Sequence, residues 1–144
     1  MSPSRAGNVT GDGSRLLIVN ADDYGLTAKV SRAILKAHRS GIVTSTSVLT
    51  LSPAFDTCAA WLRDVPRLGT GAHLAAVGED PPLLSAAEIP TLVDRRGRLA
   101  DSWRQFLPRA AAGRIDADDL RREFGAQMER ILAAGLSIDH LDTH

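Results

Sequence analysis

Three parts of the sequence carry side chains that could hold a metal ion and move a proton. Asp22 and Asp23 are adjacent carboxylates just after the apolar run 16–19, and like charges this close raise each other's proton affinity unless a cation relieves them. His73 stands in another apolar stretch, and His144 ends the sequence His-Leu-Asp-Thr-His. Two imidazoles and a carboxylate, with open positions left over, are the donor set of a catalytic divalent-metal site.

Each of these residues also has an ordinary structural explanation. Acidic turns are common where strands end, so the pair Asp22 and Asp23 alone does not decide between a turn and a site. A lone buried histidine is more often a hydrogen-bonded core residue than a ligand, and His144 could be a frayed chain end. His140 and Asp142 share a strand face with His144, and they could form a simple polar edge.

The elements that must position these residues alternate along the chain. Apolar and β-branched runs predict four strands, and apolar stripes at helical spacing predict four helices. The strands are predicted at residues 16–20, 42–49, 68–75 and 137–143, and the helices at about 27–39, 53–63, 103–111 and 116–134. Such alternation predicts a parallel sheet with right-handed helical crossovers.

Two further expectations concern burial and loops. The first apolar run predicts a strand that is buried on both faces. The proline-containing segment 76–100 predicts a long irregular loop, which in a compact domain is usually functional or mobile. In the last helix, one face is expected to be buried. The residues of that face are Leu120, Phe124, Met128, Ile131 and Leu132.

The predicted strand ends bring the candidate residues together. In parallel α/β folds, ligands bind at the carboxyl ends of the strands. The first strand is followed by Asp22 and Asp23, the third ends near His73, and the fourth ends at His144, whereas the second offers only hydroxyl groups. Ligand-type residues at corresponding ends of separate strands favour a site over a scatter of surface residues.

Composition narrows the class of function. The 144 residues predict one domain, and 17 Lys+Arg balance 17 Asp+Glu, which argues against nucleic-acid binding. No apolar run approaches the ~20 residues of a membrane span. The lone cysteine, Cys58, predicts a reducing, cytoplasmic location and is expected to be a small buried hydrophobe. Residues 1–14 predict a disordered leader, which leaves 15–144 as the domain.

The sequence resembles the YdjC-like carbohydrate deacetylases, a family that includes chitooligosaccharide deacetylases and hopanoid-cluster relatives. The resemblance runs in order from residue 16 to the end. Its motifs lie at 17–26 (LIVNADDYGL), 41–47 (GIVTSTS), 53–55 (PAF), 68–74 (LGTGAHL) and 140–144 (HLDTH). Together these motifs are specific, and the first and last are the most informative singly.

The resemblance implies a fold, an activity and a set of roles. The fold would be an α/β, parallel-stranded incomplete (β/α) barrel of the deacetylase type, and the activity would remove N-acetyl groups from acetylated amino sugars. Asp23, His73 and His144 would hold a divalent metal ion, with Mg²⁺ implied by the family and Zn²⁺ as the alternative. Asp22 would be the general base. On chemical grounds, Asp142 could orient a ligand histidine.

Two departures from the family pattern leave alternatives open. After His73 and Leu74 the family has a Leu-Thr-type pair, whereas this sequence has two alanines; the difference affects predicted substrate contacts, not the metal. The family's last motif continues beyond the position of His144, which predicts that only the N-terminal portion of the barrel is present. The chain could therefore be an inactive fragment or a sugar- or metal-binding module. A phosphoesterase on the same scaffold and a homodimer that covers a sheet edge are further alternatives.

Overall fold

Four parallel strands and four helices make up the part of the chain that the computed structural model describes, residues 15–144. The predicted leader lies outside the described residues. The elements are β1 (Asn20–Tyr24), α1 (Ala28–Ser40), β2 (Ser45–Val48), α2 (Phe55–Leu62), β3 (Gly69–Leu74), α3 (Trp103–Ala111), α4 (Ala117–Ala133) and β4 (His140–Thr143). The sheet has the order β1-β2-β3-β4 with every neighbouring pair parallel. The predicted α/β class and strand direction are confirmed.

The first strand lies later in the chain than the apolar run predicts. Leu16, Leu17 and Ile18 precede β1 and are 94%, 78% and 76% exposed, so the expectation of a strand at 16–20 buried on both faces is wrong. The partner strand explains the shift. β2 begins at Ser45, which pairs with Asn20, and ladder pairing, not hydrophobicity, sets where a strand starts.

The sheet has one apolar and one polar face. On the apolar face, Val48, Ala72 and Leu74 join a core formed with α1, α2 and α4. Tyr24 is fully buried in this core, and its hydroxyl donates to the carbonyl of Cys58 at 2.9 Å. Cys58 is itself buried, as expected. The polar side chains that could do chemistry lie on the opposite face, where they contact one another across the strands.

A second core holds the segment 75–100 against α3 and α4. Ile89 and Leu92 are fully buried there, so the predicted irregular loop is a packed structure without regular helices. Within residues 15–144, no helix is both long and apolar enough to cross a membrane.

Four of the five residues predicted for the buried face of α4 pack into the two cores, namely Leu120, Phe124, Met128 and Ile131. The helix also buries polar residues that the apolar pattern does not predict. Leu132 is 55% exposed, whereas Asp119, Glu123 and Gln127 are at most 2% exposed. Glu123 accepts the backbone N–H groups of residues 83 and 84, and Gln127 bonds both backbone groups of Ala75. A helix stripe at spacing i, i+4, i+8 is thus buried because it satisfies loop backbone that cannot reach water.

The turn after β1 requires a glycine, and its substitution is our first prediction. Gly25 has φ +96°, and an added Cβ would lie 2.5 Å from the carbonyl oxygen of Leu49. We expect Gly25→Ala to lower the free energy of unfolding by roughly 2–4 kcal/mol, since both backbone strain and a backbone clash oppose it. Urea denaturation measures this.

The control for Gly25 is another glycine in open space. Gly125 lies inside α4 with nothing within 4 Å of an added Cβ, so Gly125→Ala should stabilise the protein by about 0.5–1 kcal/mol through helix propensity. Equal effects of the two substitutions would contradict the assigned turn geometry.

The second prediction concerns pH and Asp119. Burial would raise the pKa of Asp119, but hydrogen bonds from Thr91 and the charge of Arg122 lower it below its ordinary value of 3.8. A lowered folded-state pKa stabilises the protein above the unfolded pKa, and this contribution is lost as pH falls through the folded value. We expect Asp119→Asn to cost about 1–3 kcal/mol at neutral pH, and the cost should shrink below pH 3.8.

The neighbouring residue on α4 supplies the matched control. Asp118 pairs with Arg121 at the surface, where its side chain is 63% exposed, so Asp118→Asn should change stability by less than ~0.5 kcal/mol at any pH. A pH-independent cost of Asp119→Asn would show that packing, not ionisation, is responsible.

Candidate metal centre

An extra residue in β1 turns both aspartates towards the same side of the sheet. Ala21 pairs with Thr46 and Tyr24 pairs with Val48, so three steps along β1 match two steps along β2. Asp23 has φ 66°, the positive value of a β-bulge. Adjacent residues of a regular strand point to opposite faces, and the bulge removes this alternation at Asp22 and Asp23.

The bulge brings Asp23 between two histidines that lie at the carboxyl ends of β3 and β4. Its Oδ1 atom lies 3.4 Å from Nε2 of His73 and 3.1 Å from Nδ1 of His144. His73 is 5% exposed near the end of β3, and His144 directly follows β4, where its backbone N–H donates to the Leu74 carbonyl. The two imidazole rings meet edge to face with centroids 5.1 Å apart.

The spacing of these atoms fits a divalent ion. One donor atom from each of Asp23, His73 and His144 lies within 4.8 Å of the other two. Two ligands held at 2.0–2.1 Å by a tetrahedral ion stand about 3.3 Å apart, close to the two distances from Asp23 to the imidazoles. The donor set of one carboxylate and two imidazoles is one that zinc and similar ions accept.

A second group of donors shares His73 with the first. Asp22, His73 and Asp142 also have donor atoms within 4.8 Å of one another. However, the Asp142 Oδ1 atom lies only 2.7 Å from Nδ1 of His73, which is a hydrogen-bond length and shorter than the spacing of two metal ligands. The geometry therefore favours Asp142 as a hydrogen-bond partner that leaves Nε2 of His73 free.

Asp142 is held in its charged form by its neighbours. Burial would raise its pKa, but hydrogen bonds from Ser47 and His73 and the nearby imidazole charges lower the pKa below the ordinary value of 3.8. The Ser47 hydroxyl donates to Asp142 Oδ2 at 2.5 Å. A charged carboxylate here accepts from Nδ1 of His73 and fixes the orientation of the ring.

A cavity of about 340 Å³ opens beside His144. Its apolar wall lies in the segments that follow β2 and β3, and includes Leu49, Leu51 and Val77. Its acidic residues are Glu79, Asp80 and Asp101. Among residues 15–144, no arginine or lysine lines this cavity. Of the candidate metal ligands, His144 alone lines this cavity, and no arginine or lysine among its lining residues could pair with a phosphate.

The structure brings together all the residues that the sequence singled out. Asp22, Asp23, His73 and His144 converge at one end of the sheet, with Asp142 beside them. Sequence reasoning missed the roles of Asn20 and Ser47, which bond to Asp22 and Asp142 respectively. The signal was present in the three consecutive hydroxyl residues Ser45, Thr46 and Ser47. Such a run places hydroxyl groups on both faces of the strand, and buried hydroxyl groups need hydrogen-bond partners.

Fold and site together define a parallel α/β protein with a candidate metal centre at its strand ends. The model of the family described as YdjC-like protein matches residues 16–144. The chain therefore belongs to the YdjC-like family, as the motifs indicated.

Curated relatives and a solved structure agree with this membership. Carbohydrate deacetylase 1 of Listeria innocua serovar 6a is 38% identical over 128 residues, which cover 89% of this chain and 50% of that protein. The carbohydrate deacetylase of Brevibacillus brevis is 33% identical, with 89% and 48% covered. The chain thus spans about half the length of the curated relatives it matches.

The structural match is equally extensive. A crystal structure from Enterococcus faecalis V583, described as a candidate cellobiose-phosphate cleavage protein, superposes with a TM-score of 0.79 at 32% identity. The match covers 88% of this chain and 47% of that one. The shared fold therefore includes nearly every described element of this chain.

Our third prediction tests the donor set by metal titration. We expect Asp23→Asn, His73→Ala and His144→Ala each to weaken Zn²⁺ binding at least about 100-fold, more than a change outside the ligand shell would. Asn is chosen at position 23 because it tolerates positive φ. Isothermal titration calorimetry with Zn²⁺ and with Mg²⁺ measures the effect.

A fourth histidine and the competing donor group give the controls. His38 bonds the Val43 carbonyl from the end of α1, so His38→Ala should leave metal affinity unchanged. Zn²⁺ binding that survives Asp23→Asn but is lost in Asp22→Asn and Asp142→Asn would assign the ion to the second group instead.

Proposed function

We propose that this chain carries the metal-binding part of a hydrolase that removes N-acetyl groups from acetylated amino sugars. The observation that carries the proposal is the convergence of Asp23, His73 and His144 from three strands around one point. The names of the relatives support the reaction class, since the curated proteins from Listeria and Brevibacillus are called carbohydrate deacetylases.

The ligands in this proposal come from three separate elements. Asp23 would bind through Oδ1, His73 through Nε2 and His144 through Nδ1, the atoms that face one another. A bound divalent ion would lower the pKa of a water molecule and polarise the amide carbonyl. A mixed nitrogen and oxygen donor set favours Zn²⁺ by affinity, while the family resemblance favours Mg²⁺, so both ions belong in the tests.

Asp22 is the general base in this proposal. It is exposed on the polar face of the sheet next to the ligand Asp23, and its Oδ1 atom accepts a hydrogen bond from the Asn20 amide at 2.7 Å. Its second oxygen could accept the proton of the attacking water. The hydrogen bond from Asn20 restrains the carboxylate, which favours proton transfer at hydrogen-bond range.

The residues that line the cavity beside His144 favour an amide, and not a phosphate ester, as the bond that is cleaved. Apolar side chains can surround a methyl group, whereas the carboxylates of Glu79, Asp80 and Asp101 would repel a phosphate. These carboxylates can instead accept hydrogen bonds from sugar hydroxyls. The same charges disfavour a phosphorylated disaccharide, the kind of substrate that the name of the Enterococcus faecalis protein indicates.

Our fourth prediction is an assay of the chain itself. With Zn²⁺ or Mg²⁺ supplied, the protein should release free amine from N,N′-diacetylchitobiose, and EDTA should abolish the release. Asp22→Asn should lower kcat by about 10²–10⁴-fold, the contribution of a general base, while the metal Kd stays unchanged. Amine release is followed by fluorescamine labelling.

Two outcomes separate the alternatives. Metal binding without amine release would favour a binding module, and hydrolysis of p-nitrophenyl phosphate without amine release would favour a phosphoesterase. Deacetylation that persists both in EDTA and in His73→Ala would refute the proposed mechanism.

A further inference from the structure

We infer that Ser47 is a positioning residue that, with Asn20, links the proposed base to the proposed metal ligand through one chain of hydrogen bonds. The inference deepens the proposed function and rests on it. The chain runs from Asp22 through Asn20, Ser47 and Asp142 to His73, and none of its middle members touches the proposed ion.

The chain consists of four close contacts. The Asn20 amide nitrogen lies 2.7 Å from Oδ1 of Asp22 and 2.7 Å from the Ser47 hydroxyl oxygen. The Ser47 hydroxyl lies 2.5 Å from Asp142 Oδ2, and Asp142 Oδ1 lies 2.7 Å from Nδ1 of His73. All are short hydrogen-bond lengths.

The number of available protons determines which group donates in each of these hydrogen bonds. An ionised carboxylate only accepts, so the single proton of Ser47 goes to Asp142, and Ser47 must accept from its other partners. The Asn20 amide has two protons, one for Asp22 and one for Ser47. Its oxygen accepts from the Ser45 hydroxyl at 2.6 Å, so the amide can take only one orientation.

The donor and acceptor roles in these hydrogen bonds determine the tautomer of His73. Asp142 can only accept, so Nδ1 of His73 carries a proton, and the neutral ring then has its lone pair on Nε2, which faces Asp23. A metal binds only a bare imidazole nitrogen. Ser47 acts on the site by holding Asp142 where it selects this tautomer.

Ser47 can do this because its place in the fold is rigid and crowded. It is fully buried in the centre of β2, and the ring of His140 packs over Gly71 to reach its hydroxyl at 3.2 Å. A Cβ on residue 71 would lie 2.3 Å from that ring. The hydroxyl of Ser47 is therefore shared by three side chains, from β1 and β4, that meet on the polar face.

The first test reads the tautomer in the unmodified, metal-free protein. Long-range ¹H–¹⁵N correlation spectra, recorded at a pH where His73 is neutral, should show this ring protonated on Nδ1 and bare on Nε2. A neutral His73 with its proton on Nε2 would overturn the inference, and this measurement does not depend on how any variant folds.

The second test removes the hydroxyl. We expect Ser47→Ala to raise the Zn²⁺ dissociation constant about tenfold, the lower end of effects seen for partners of metal ligands, and to mix the two His73 tautomers. Ser47→Thr, which keeps the hydroxyl, should restore both readouts. Unchanged affinity and tautomer in a folded Ser47→Ala protein would overturn the inference.

The adjacent residue provides the matched control. Thr46 is also fully buried in β2, but its hydroxyl donates to the Ala21 carbonyl at 2.6 Å and has no contact with the chain. Thr46→Val should lower stability without changing the Zn²⁺ affinity or the His73 tautomer, and an equal effect of both variants would show a merely structural role. If the wild-type protein binds neither Zn²⁺ nor Mg²⁺ but shows the expected tautomer, the proposed function fails while the hydrogen-bond chain stands.

Discussion

One extra residue in the first strand is the constraint on which the site depends. In a regular β1, Asp22 and Asp23 would point to opposite faces, and one carboxylate would be driven into the apolar core beside Tyr24. The bulge at Asp23, with φ 66°, lets both carboxylates remain on the polar face while Tyr24 returns to the core. The positive φ of an aspartate costs free energy, and the tight turn at Gly25 that follows keeps the bulge in place.

The other strands depend on the polar face of the sheet in a similar way. Buried polar groups are tolerated only when their hydrogen bonds are satisfied, and here they satisfy one another. Ser47 bonds to Asp142, which in turn bonds to His73. Because Ser47 and His140 lie on strands that are not neighbours, the missing Cβ of Gly71 matters. It leaves room for the His140 ring, whose Nε2 atom reaches the Ser47 hydroxyl across β3.

The sequence predicts that the candidate residues converge better than it predicts the bounds of the elements that carry them. Asp23, His73 and His144 can be identified because ligand-type side chains recur at strand ends, and strand order follows from alternation with helices. The placement of β1 was wrong because an apolar run indicates hydrophobicity and not ladder pairing. The bulge cannot be predicted from the alternation of polar and apolar residues, since it is a single residue whose conformation depends on tertiary contacts.

The same limit applies to α4. Leu132 fits an apolar stripe and is exposed, while Glu123 and Gln127 look like solvent-facing residues and are buried. Their partners are backbone groups of residues 75–84, whose position depends on the whole chain. Hydrophobic periodicity predicts which apolar side chains of a helix are buried. It does not predict which polar side chains are buried because they bond loop backbone groups.

The site concentrates negative charge around one imidazole. The carboxylates of Asp22, Asp23 and Asp142 gather around His73, and like charges this close favour the binding of a cation. Asp142 is offset by Ser47 and His73, and Asp22 by Asn20. The Oδ1 atom of Asp23 contacts the imidazoles of His73 and His144. The proposed ion would add its positive charge at this point, between the three side chains.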